Sequence, residues 1–323
     1  MFKKVLPFFV VMILFVACSN NDTPSNNVTE DTNVETEEAQ FPVTVDVEGK
    51  DVTVEAVPKN ILPMSLEVAE IVLELTTPED ITATTKGIDD PLLSTKVEEG
   101  KQVEERIGAA TNIDPEEIIA LDTDLLIMTK MYGQEEDAED ILSQFDTPIL
   151  SFSPFVTVEK FQDAALTIGE AIGKKEIALE KVEKMNDEIE AIQEKVPEEN
   201  APSVLVLSEV GGDMGPFMLG PTNISYDLIQ LAGATPATDS IDLERSGPAE
   251  MEQIIKMDPD YIVLLDFFGK GEESFSYLME DSGWKTLTAV KEDKIMLEDA
   301  KYILNPNFEN SKGLEKLVDF IYE

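Results

Sequence analysis

A helix–turn–strand unit that occurs twice restricts the possible folds of this chain more than any other feature of its sequence. Residues 116–128 and 252–264 align without a gap at an offset of 136, which is 252 minus 116. Each copy has Glu first, then two isoleucines, an Asp-x-Asp turn and an unbroken apolar run. An apolar run between turn residues is typical of a strand that is buried on both faces. The part before the turn is predicted to be a short helix, and we expect both of its isoleucines to lie on the buried side. The repeat therefore predicts two lobes of one design, against the alternative of a chance similarity.

The N-terminus predicts a secretory signal. Two lysines precede an uncharged apolar run, Val5–Val16, which is shorter than the about 20 residues that a membrane-spanning helix needs. A small residue follows, and then comes Cys18, the one cysteine of the chain, which has no partner for an internal disulfide. Residues 1–17 are therefore a predicted signal peptide. A stop-anchor with an incidental cysteine is the alternative.

The sequence around Cys18 resembles the lipobox of bacterial lipoproteins, with Phe15 where that motif usually has Leu. The resemblance implies that Cys18 is lipidated, for example with palmitate, and becomes the first mature residue. Residues 18–40 are almost all small, polar or acidic, with no Lys or Arg, and cannot bury enough apolar surface to fold. We expect them to form a disordered acidic tether to a membrane.

The composition excludes several classes of function. The chain has 67 acidic and 24 basic residues, a net charge of −43, so nucleic acid and anionic lipid headgroups would be repelled. It contains no histidine, which removes Ser-His-Asp triads and the usual His-rich zinc sites. We expect no enzyme activity, no directly bound metal and no resident cofactor. The acidic surface either keeps the protein soluble or attracts a basic docking partner or a cationic ligand.

Strands and helices alternate along residues 41–156 and again along residues 197–323, which predicts an α/β fold with parallel sheets in each lobe. The first lobe opens with a hairpin whose turn lies near Gly49. Residues 157–196 separate the lobes and have apolar residues at helical spacing, with Thr157 as N-cap and a joint at Gly173. This connecting segment is predicted to bridge the lobes, although an ordinary pair of surface helices fits the same pattern.

The order of motifs over residues 41–323 resembles the substrate-binding lipoproteins that import iron-siderophore complexes, haem and vitamin B12. The resemblance is carried by the opening hairpin, by both copies of the repeat and by three short segments. These segments are Pro58-Lys59-Asn60-Ile61, then Leu219-Gly220-Pro221 followed by Leu231-Ala232-Gly233, and finally Trp284 to Val290. It implies two Rossmann-like α/β lobes joined by one long interlobe helix, with the ligand in the cleft between them. It also implies delivery to an ABC permease with its ATPase, from a monomer anchored outside the cytoplasmic membrane.

In such families each lobe offers one exposed glutamate to arginines of the permease. By position these residues are Glu116 and Glu252, the first residues of the two repeats. Carboxylate–arginine pairs are bidentate and directional, so two of them would orient the protein on its transporter. Alternatively, each glutamate is a solvated first-turn residue that the helix dipole favours.

Ligands of open parallel sheets bind at the carboxyl ends of the strands. Aromatic rings and thioethers dominate these ends in the sequence; they suit a flat or apolar chelate, and Tyr or Met can ligate haem iron. Each could also be a core side chain. Basic residues are few, so a neutral or cationic iron chelate, haem or a corrinoid fits better than a highly anionic ferric catecholate. The predicted cleft residues are Met64, Ser65, Lys86, Tyr132, Phe152, Met214, Phe217, Met218, Arg245, Phe267 and Phe268.

We therefore expect a non-catalytic lipoprotein that captures a ferric siderophore or haem and delivers it to an ABC importer. A stiff helical connection favours small closure of the lobes. Within the family the alternative is a cobalamin carrier. Zinc and manganese carriers usually need histidines, and a secreted α/β hydrolase needs a catalytic histidine. This chain has none. A surface adhesin has no obvious use for two similar lobes.

Overall fold

Two parallel β-sheets, one in each half of the chain, form the centres of the fold. The computed structural model describes residues 41–108, 115–130, 139–144, 146–197, 201–210 and 215–323. The predicted signal peptide 1–17, the tether 18–40 with Cys18, and the cleft residues Tyr132 and Met214 lie outside these ranges. Within the ranges, no helix is long and apolar enough to cross a membrane.

The first lobe begins with an antiparallel hairpin, β1 (Val43–Val47) and β2 (Lys50–Val54), as predicted. The next strands are β3 (Ile61–Pro63), β4 (Ala83–Thr85), β5 (Glu105–Ile107), β6 (Leu125–Thr129) and β7 (Ile149–Phe152). They pair in parallel, and a bridge between Ile61 and Ile81 brings β4 next to β3. The order is therefore β5-β4-β3-β6-β7. The helices are α1 (Leu66–Leu75), α2 (Val97–Gly100) and α3 (Pro115–Ala120), with 3-10 turns at Pro78–Asp80 and Lys86–Asp89.

The connecting segment consists of two helices, α4 (Val158–Ala171) and α5 (Lys175–Gln193), where one long helix was expected. Thr157 caps α4 by accepting a hydrogen bond from the Lys160 amide at 3.2 Å. The chain reverses at Gly173, whose φ of 70° is a left-handed conformation that glycine adopts readily. The joint therefore lies where the sequence predicts it, but it folds α5 back against α4.

Helix α5 contacts both lobes. At its first half, Lys181 forms an ion pair with Glu74 of α1. At its second half, Glu188 accepts a hydrogen bond of 2.5 Å from Ser311, and Gln193 donates one of 3.1 Å to the Leu231 carbonyl.

Helix α4 packs on β1 and α1 of the first lobe and also reaches the second lobe, where the Val158 amide donates to Asp227 at 2.8 Å and Phe161 packs against Phe308. Both helices therefore connect the lobes.

The second lobe has the strands β8 (Ser203–Ser208), β9 (Phe217–Met218), β10 (Thr235–Pro236), β11 (Gly247–Pro248), β12 (Tyr261–Asp266) and β13 (Ile295–Asp299). Strands β8, β12 and β13 are parallel neighbours, β10 pairs in parallel with the start of β8, and β9 pairs antiparallel with its end. The helices are α6 (Ile224–Leu231), α7 (Met251–Met257), α8 (Ser276–Met279), α9 (Thr288–Lys291), α10 (Ala300–Ile303) and α11 (Asn310–Tyr322). The 3-10 turns are Ala237–Ile241, Gly271–Phe275 and Trp284–Thr286.

The repeated sequence is a repeated structure. The first Asp of each turn is left-handed, with φ of 52° at Asp122 and 40° at Asp258. The second Asp accepts hydrogen bonds at the start of the neighbouring strand. Asp124 binds the amides of residues 59 and 60 at 2.8 and 3.1 Å, and Asp260 binds the amide and hydroxyl of Ser203, both at 2.8 Å. Equivalent residues thus place β6 beside β3 and β12 beside β8.

The expectation that both isoleucines of each repeat are buried is wrong. Ile118 and Ile254 are buried, but Ile119 and Ile255 are exposed in both copies. Successive residues of a helix lie about 100° apart around its axis, so a helix this short turns only the first isoleucine toward the sheet.

One hydrophobic core runs through both lobes. It includes β-strand residues such as Ile127 and Val263, and the inner faces of α4 and α5, with Phe161 and Met185. Two smaller clusters cover the other faces of the sheets, one around Met128 and one around Trp284. The connecting helices are therefore part of the core.

Candidate ligand-binding site

The strand order defines one position in each sheet where a ligand would sit. In the first lobe the chain order reverses between β3 and β6, and in the second between β8 and β12. A crevice forms at such a switch point, outside the carboxyl ends of the two strands. The residues that follow these four strands are therefore the candidate site.

The carboxyl edge of the second sheet borders the first lobe. After β13, the Lys301 amide donates to the Leu92 carbonyl at 2.7 Å, and the Lys301 ammonium to the Pro91 carbonyl at 2.7 Å. After β12, Gly269 lies against the Leu92 side chain; a Cβ at Gly269 would be 3.4 Å from Leu92 Cδ1. The candidate site of the second lobe therefore lies at the boundary between the lobes.

Polar side chains form the first-lobe side of the site. The Thr129 hydroxyl, at the end of β6, lies within hydrogen-bond distance of the Glu67 carboxylate and 3.1 Å from the Ser65 hydroxyl. Lys130 forms an ion pair of 3.0 Å with Glu139. Burial raises the pKa of Glu139, but the hydrogen bond and charge of Lys130 outweigh it, so the pKa is lowered. This lysine charge is therefore neutralised.

Two carboxylates fix the loop after β12. Glu209 and Asp266 accept hydrogen bonds from five consecutive backbone amides, which leaves none of these donors free. Glu209 Oε2 binds the amides of Phe267 and Phe268 at 2.8 and 3.1 Å, and Asp266 binds those of Gly269, Lys270 and Gly271 at 2.7, 3.2 and 3.0 Å. Hydrogen bonds to a charged group are strong, so the loop is held in one conformation.

This loop presents an aromatic ring. Phe268 is 51% exposed, and its ring packs edge-on against Phe267 at a centroid distance of 4.9 Å. The Lys270 ammonium lies 5.9 Å from the centre of the Phe268 ring. An exposed ring on a fixed loop can stack on a flat ligand without a large loss of conformational entropy.

Glu209 is an unusual carboxylate. It is 4% exposed, and its second oxygen, Oε1, has no hydrogen-bond partner in the described part of the chain. Burial raises the pKa of Glu209; the amides of Phe267 and Phe268 lower it in part, and the charge of Asp266 raises it further. A buried acceptor without a donor is costly, and neither the described residues nor bulk water balance the negative charge on this oxygen.

The predicted cleft residues fall into three groups. Met64, Phe152 and Met218 are buried in the core, so their assignment to the cleft is wrong; these strand-end side chains point into the layer between sheet and helices. Phe267 and Phe268 are brought together on one loop, and Ser65 lies beside Thr129. Phe217 in β9 is partly exposed, and Lys86 and Arg245 are exposed; for these three a ligand contact stays a prediction.

Sequence reasoning placed Glu209 at a strand end without giving it a role, and it did not assign Glu67, Thr129 and Asp266 to the site. A signal was present for Glu209 and Asp266, because each acid directly follows a strand's apolar run. Among 67 acidic residues this signal has little weight unless the strand neighbours are known. The pairing of β8 with β12 supplies that information.

The segment that contacts the second lobe, residues 90–96, is anchored on α1 by two glutamates. Glu70 is buried and accepts hydrogen bonds from the Ser94 hydroxyl at 2.6 Å and from the amide and hydroxyl of Thr95. Burial raises its pKa despite these bonds. Glu74 pairs with Lys96 and with Lys181 of α5; burial opposes ionisation, but the two lysines lower its pKa. Glu74 therefore joins the segment, α1 and the bridging helix.

The two glutamates predicted to dock the permease occupy matching positions. Glu116 and Glu252 lie in the first turns of α3 and α7, and both are exposed. Each helix begins at the carboxyl-end edge of its sheet.

Among the described residues no three or more His, Cys, Asp or Glu side chains are grouped to hold an ion. A pocket of about 660 Å³ lies at the opposite edge of the first sheet, near Asp124, Leu126 and Pro148 at the amino ends of β6 and β7. It does not reach the switch points.

The fold and the site agree with one family. A family model described as periplasmic binding protein matches residues 63–302. The chain belongs to this family. Its members are binding proteins and not enzymes, which confirms both the resemblance and the expectation that this periplasmic binding protein lacks catalysis.

Known proteins are similar over most of this chain. The ABC transporter substrate-binding lipoprotein YvrC of Bacillus subtilis is 26% identical, over 87% of this chain and 86% of its own. The haem-binding protein RhuT of Roseiflexus, in apo form, superposes with a TM-score of 0.70 at 22% identity, over 82% of this chain and 98% of RhuT. A protein of an Fe³⁺-hydroxamate transport system from Saccharomonospora viridis gives a TM-score of 0.70 at 21% identity, over 88% and 100%. These structures confirm the α/β fold with parallel sheets.

Glu74→Gln is expected to lower the free energy of unfolding by about 1–3 kcal/mol at neutral pH, because two lysines lose a carboxylate partner. Folding lowers the pKa of Glu74, so its contribution is complete above the ordinary value of 4.5 and is lost as the pH falls below it. Urea unfolding from neutral to acidic pH should show the wild type and the variant converging at the acidic end.

Glu70→Gln is the matched control, one helical turn earlier. Folding raises the pKa of Glu70, so its charge opposes folding at neutral pH, and stability rises as the pH falls through the raised pKa toward 4.5. This variant should be as stable as the wild type or slightly more so. A gap between wild type and Glu74→Gln that stays constant with pH would contradict the assignment.

Proposed function

We propose that this chain is the substrate-binding lipoprotein of an ABC importer and that it captures an iron complex, a ferric siderophore or haem, between its lobes. Membership of the periplasmic binding protein family supports the binding of a solute. The relative YvrC supports the ABC importer, and the haem-binding and Fe³⁺-hydroxamate neighbours support an iron complex as the ligand. The complex is cargo, and we propose no resident cofactor.

One observation carries the proposal. The loop after β12 presents Phe268 at the switch point of the second sheet, and the same loop contacts Leu92 of the first lobe. A ligand bound there would touch both lobes and stack on a ring that is already fixed. Aromatic faces suit the conjugated or apolar surface of haem and of many chelates.

The packing of the connection favours a small closure on binding. Helices α4 and α5 share the core with both lobes, and an aromatic chain links Phe155 and Phe161 of the first lobe to Phe308 of the second, at centroid distances of 6.2 and 5.0 Å. A wide hinge would have to break these contacts. The lobes would therefore move by small shifts of packed side chains.

Titration of the protein without its tether with haem and with ferric hydroxamates is expected to show binding. Phe268→Ala should weaken it by about tenfold, since ring contacts contribute about 0.5–1.5 kcal/mol beyond area burial. Tyr277→Ala is the matched control, because Tyr277 is 76% exposed in α8 and lies outside the site. Tryptophan emission and thermal shift would measure both variants.

The outcomes separate the candidate ligands. Binding of cobalamin alone would replace the iron complex by a corrinoid. No response to haem, hydroxamates, catecholates or cobalamin would reject the iron-complex function, and equal losses in both aromatic variants would reject the role of Phe268.

Docking to the permease would use Glu116 and Glu252. Their matching positions in the two repeats place one carboxylate on each lobe, and arginine pairs can bind such carboxylates in a bidentate manner. The distance between the two carboxylates would then fix the orientation of the protein on its transporter.

Glu116→Ala with Glu252→Ala is expected to leave ligand affinity unchanged and to abolish uptake in cells, because both carboxylates proposed to dock the permease are removed. Glu117→Ala, which removes an exposed carboxylate from the same helix, should retain uptake. Normal uptake by the double variant would contradict the docking assignment.

The membrane anchor would be a lipid on Cys18. Cys18→Ser is expected to move the protein from the membrane fraction to the soluble fraction, where it should elute as a monomer with unchanged ligand affinity. Membrane association equal to that of the wild type would contradict the anchor and favour an uncleaved N-terminal segment.

A further inference from the structure

Two lysines at the lobe boundary are neutralised by acidic partners, whereas three carboxylates there have no ion-pair partner among the described residues. Lys130 pairs with Glu139 at 3.0 Å, and Lys301 pairs with Asp299 at 3.1 Å. Glu67, Glu209 and Asp266 follow the ends of β3, β8 and β12, and none of them has an ion-pair partner in the described ranges. The site therefore carries an excess of negative charge.

Hydrogen bonds stabilise these carboxylates to different degrees. Glu67 has the Thr129 hydroxyl, and Asp266 has three backbone amides. Glu209 has two amides on Oε2, while Oε1 is buried without a donor. Glu67 and Asp266 are partly exposed, so water compensates their remaining charge, whereas Glu209 is 4% exposed; of the three, Glu209 is the carboxylate whose charge is least compensated.

Nearby cations do not reverse this balance. Lys270 is exposed and lies over the Phe268 ring, and it lowers the pKa of Glu209 less than burial and Asp266 raise it. Lys86 and Arg245 are exposed, so water and salt screen them. A buried charge acts over a longer distance than an exposed one, because the surrounding medium is less polarisable.

We propose that the site selects its ligand by charge, taking a cationic or neutral ferric chelate and rejecting polyanionic ones, with the Glu209 carboxylate as the deciding group. This inference rests on the proposed binding of an iron complex and names the class of complex. A positive group on a ligand between the lobes would be attracted by the negative charge of Glu209 over a short distance, without direct contact. A polyanionic catecholate would add repulsion to a site that has no unpaired buried cation among the described residues.

The test uses two ligands that differ by one charge. The first is a linear ferric trihydroxamate with a pendant amine, which is protonated at neutral pH, and the second is its neutral N-acetylated form. The wild type should bind the cationic form about fivefold to tenfold more tightly at low ionic strength. Added salt should reduce this preference.

Glu209→Gln isolates the charge, since the amide oxygen of Gln can still accept from Phe267 and Phe268. The preference for the cationic form should fall to within about twofold. Glu180→Gln removes the same charge from an exposed position of α5 and should keep the wild-type preference. Thermal unfolding checks that each variant is folded. If Glu209→Gln does not fold, Glu67→Gln on the opposite wall should show a smaller loss of preference.

The outcomes distinguish the inference from the function on which it rests. Equal binding of the two hydroxamates by the wild type, an unchanged preference in Glu209→Gln, or tighter binding of an anionic ferric tris-catecholate would overturn the charge selection and leave the iron-complex function intact. Haem carries two negatively charged propionates. If the protein binds haem but neither hydroxamate, the charge selection is also overturned and the iron-complex function is kept. Failure to bind any iron complex would overturn both.

Discussion

The hydrogen bonds of one repeated aspartate determine where the ligand site can be. Asp124 and Asp260 leave the helix–strand turn of each repeat and bind backbone amides at the start of the first strand of each sheet. This contact places β6 beside β3 and β12 beside β8, and those pairs are the points where the strand order reverses. The crevices, the Thr129 cluster and the Phe268 loop all follow from this pairing.

Much of the fold could be predicted because it depends on local periodicity. The alternation of strands and helices, the opening hairpin and the two equivalent units are visible in the sequence. The sequence could not show whether one long helix or two helices connect the lobes, because apolar residues keep a helical spacing on both sides of Gly173. Only the backbone shows the reversal, through the positive φ of Gly173 and the packing of Ala178 against Gly169.

The site could be predicted to the level of an edge, and individual residues could not. The rule that ligands bind at the carboxyl ends of strands selected Phe267 and Phe268, which lie on the loop at the switch point of the second sheet, and their contact with a ligand stays a prediction. The same rule placed Met64, Phe152 and Met218 in the cleft, because the sequence does not say which face of the sheet a strand-end side chain joins. Glu209 and Asp266 are important through their bonds to a neighbouring strand and its loop, and those contacts depend on pairing between distant segments.

The core that passes through α4 and α5 has a consequence for how the two lobes respond to a ligand. Phe161, Met185 and Val263 belong to one continuous cluster, so the two lobes share one part of their apolar interior, beside the separate clusters around Met128 and Trp284. Binding at the boundary then stabilises the chain as a single cooperative unit. A ligand bound there would therefore raise the stability of both lobes together through the core that they share.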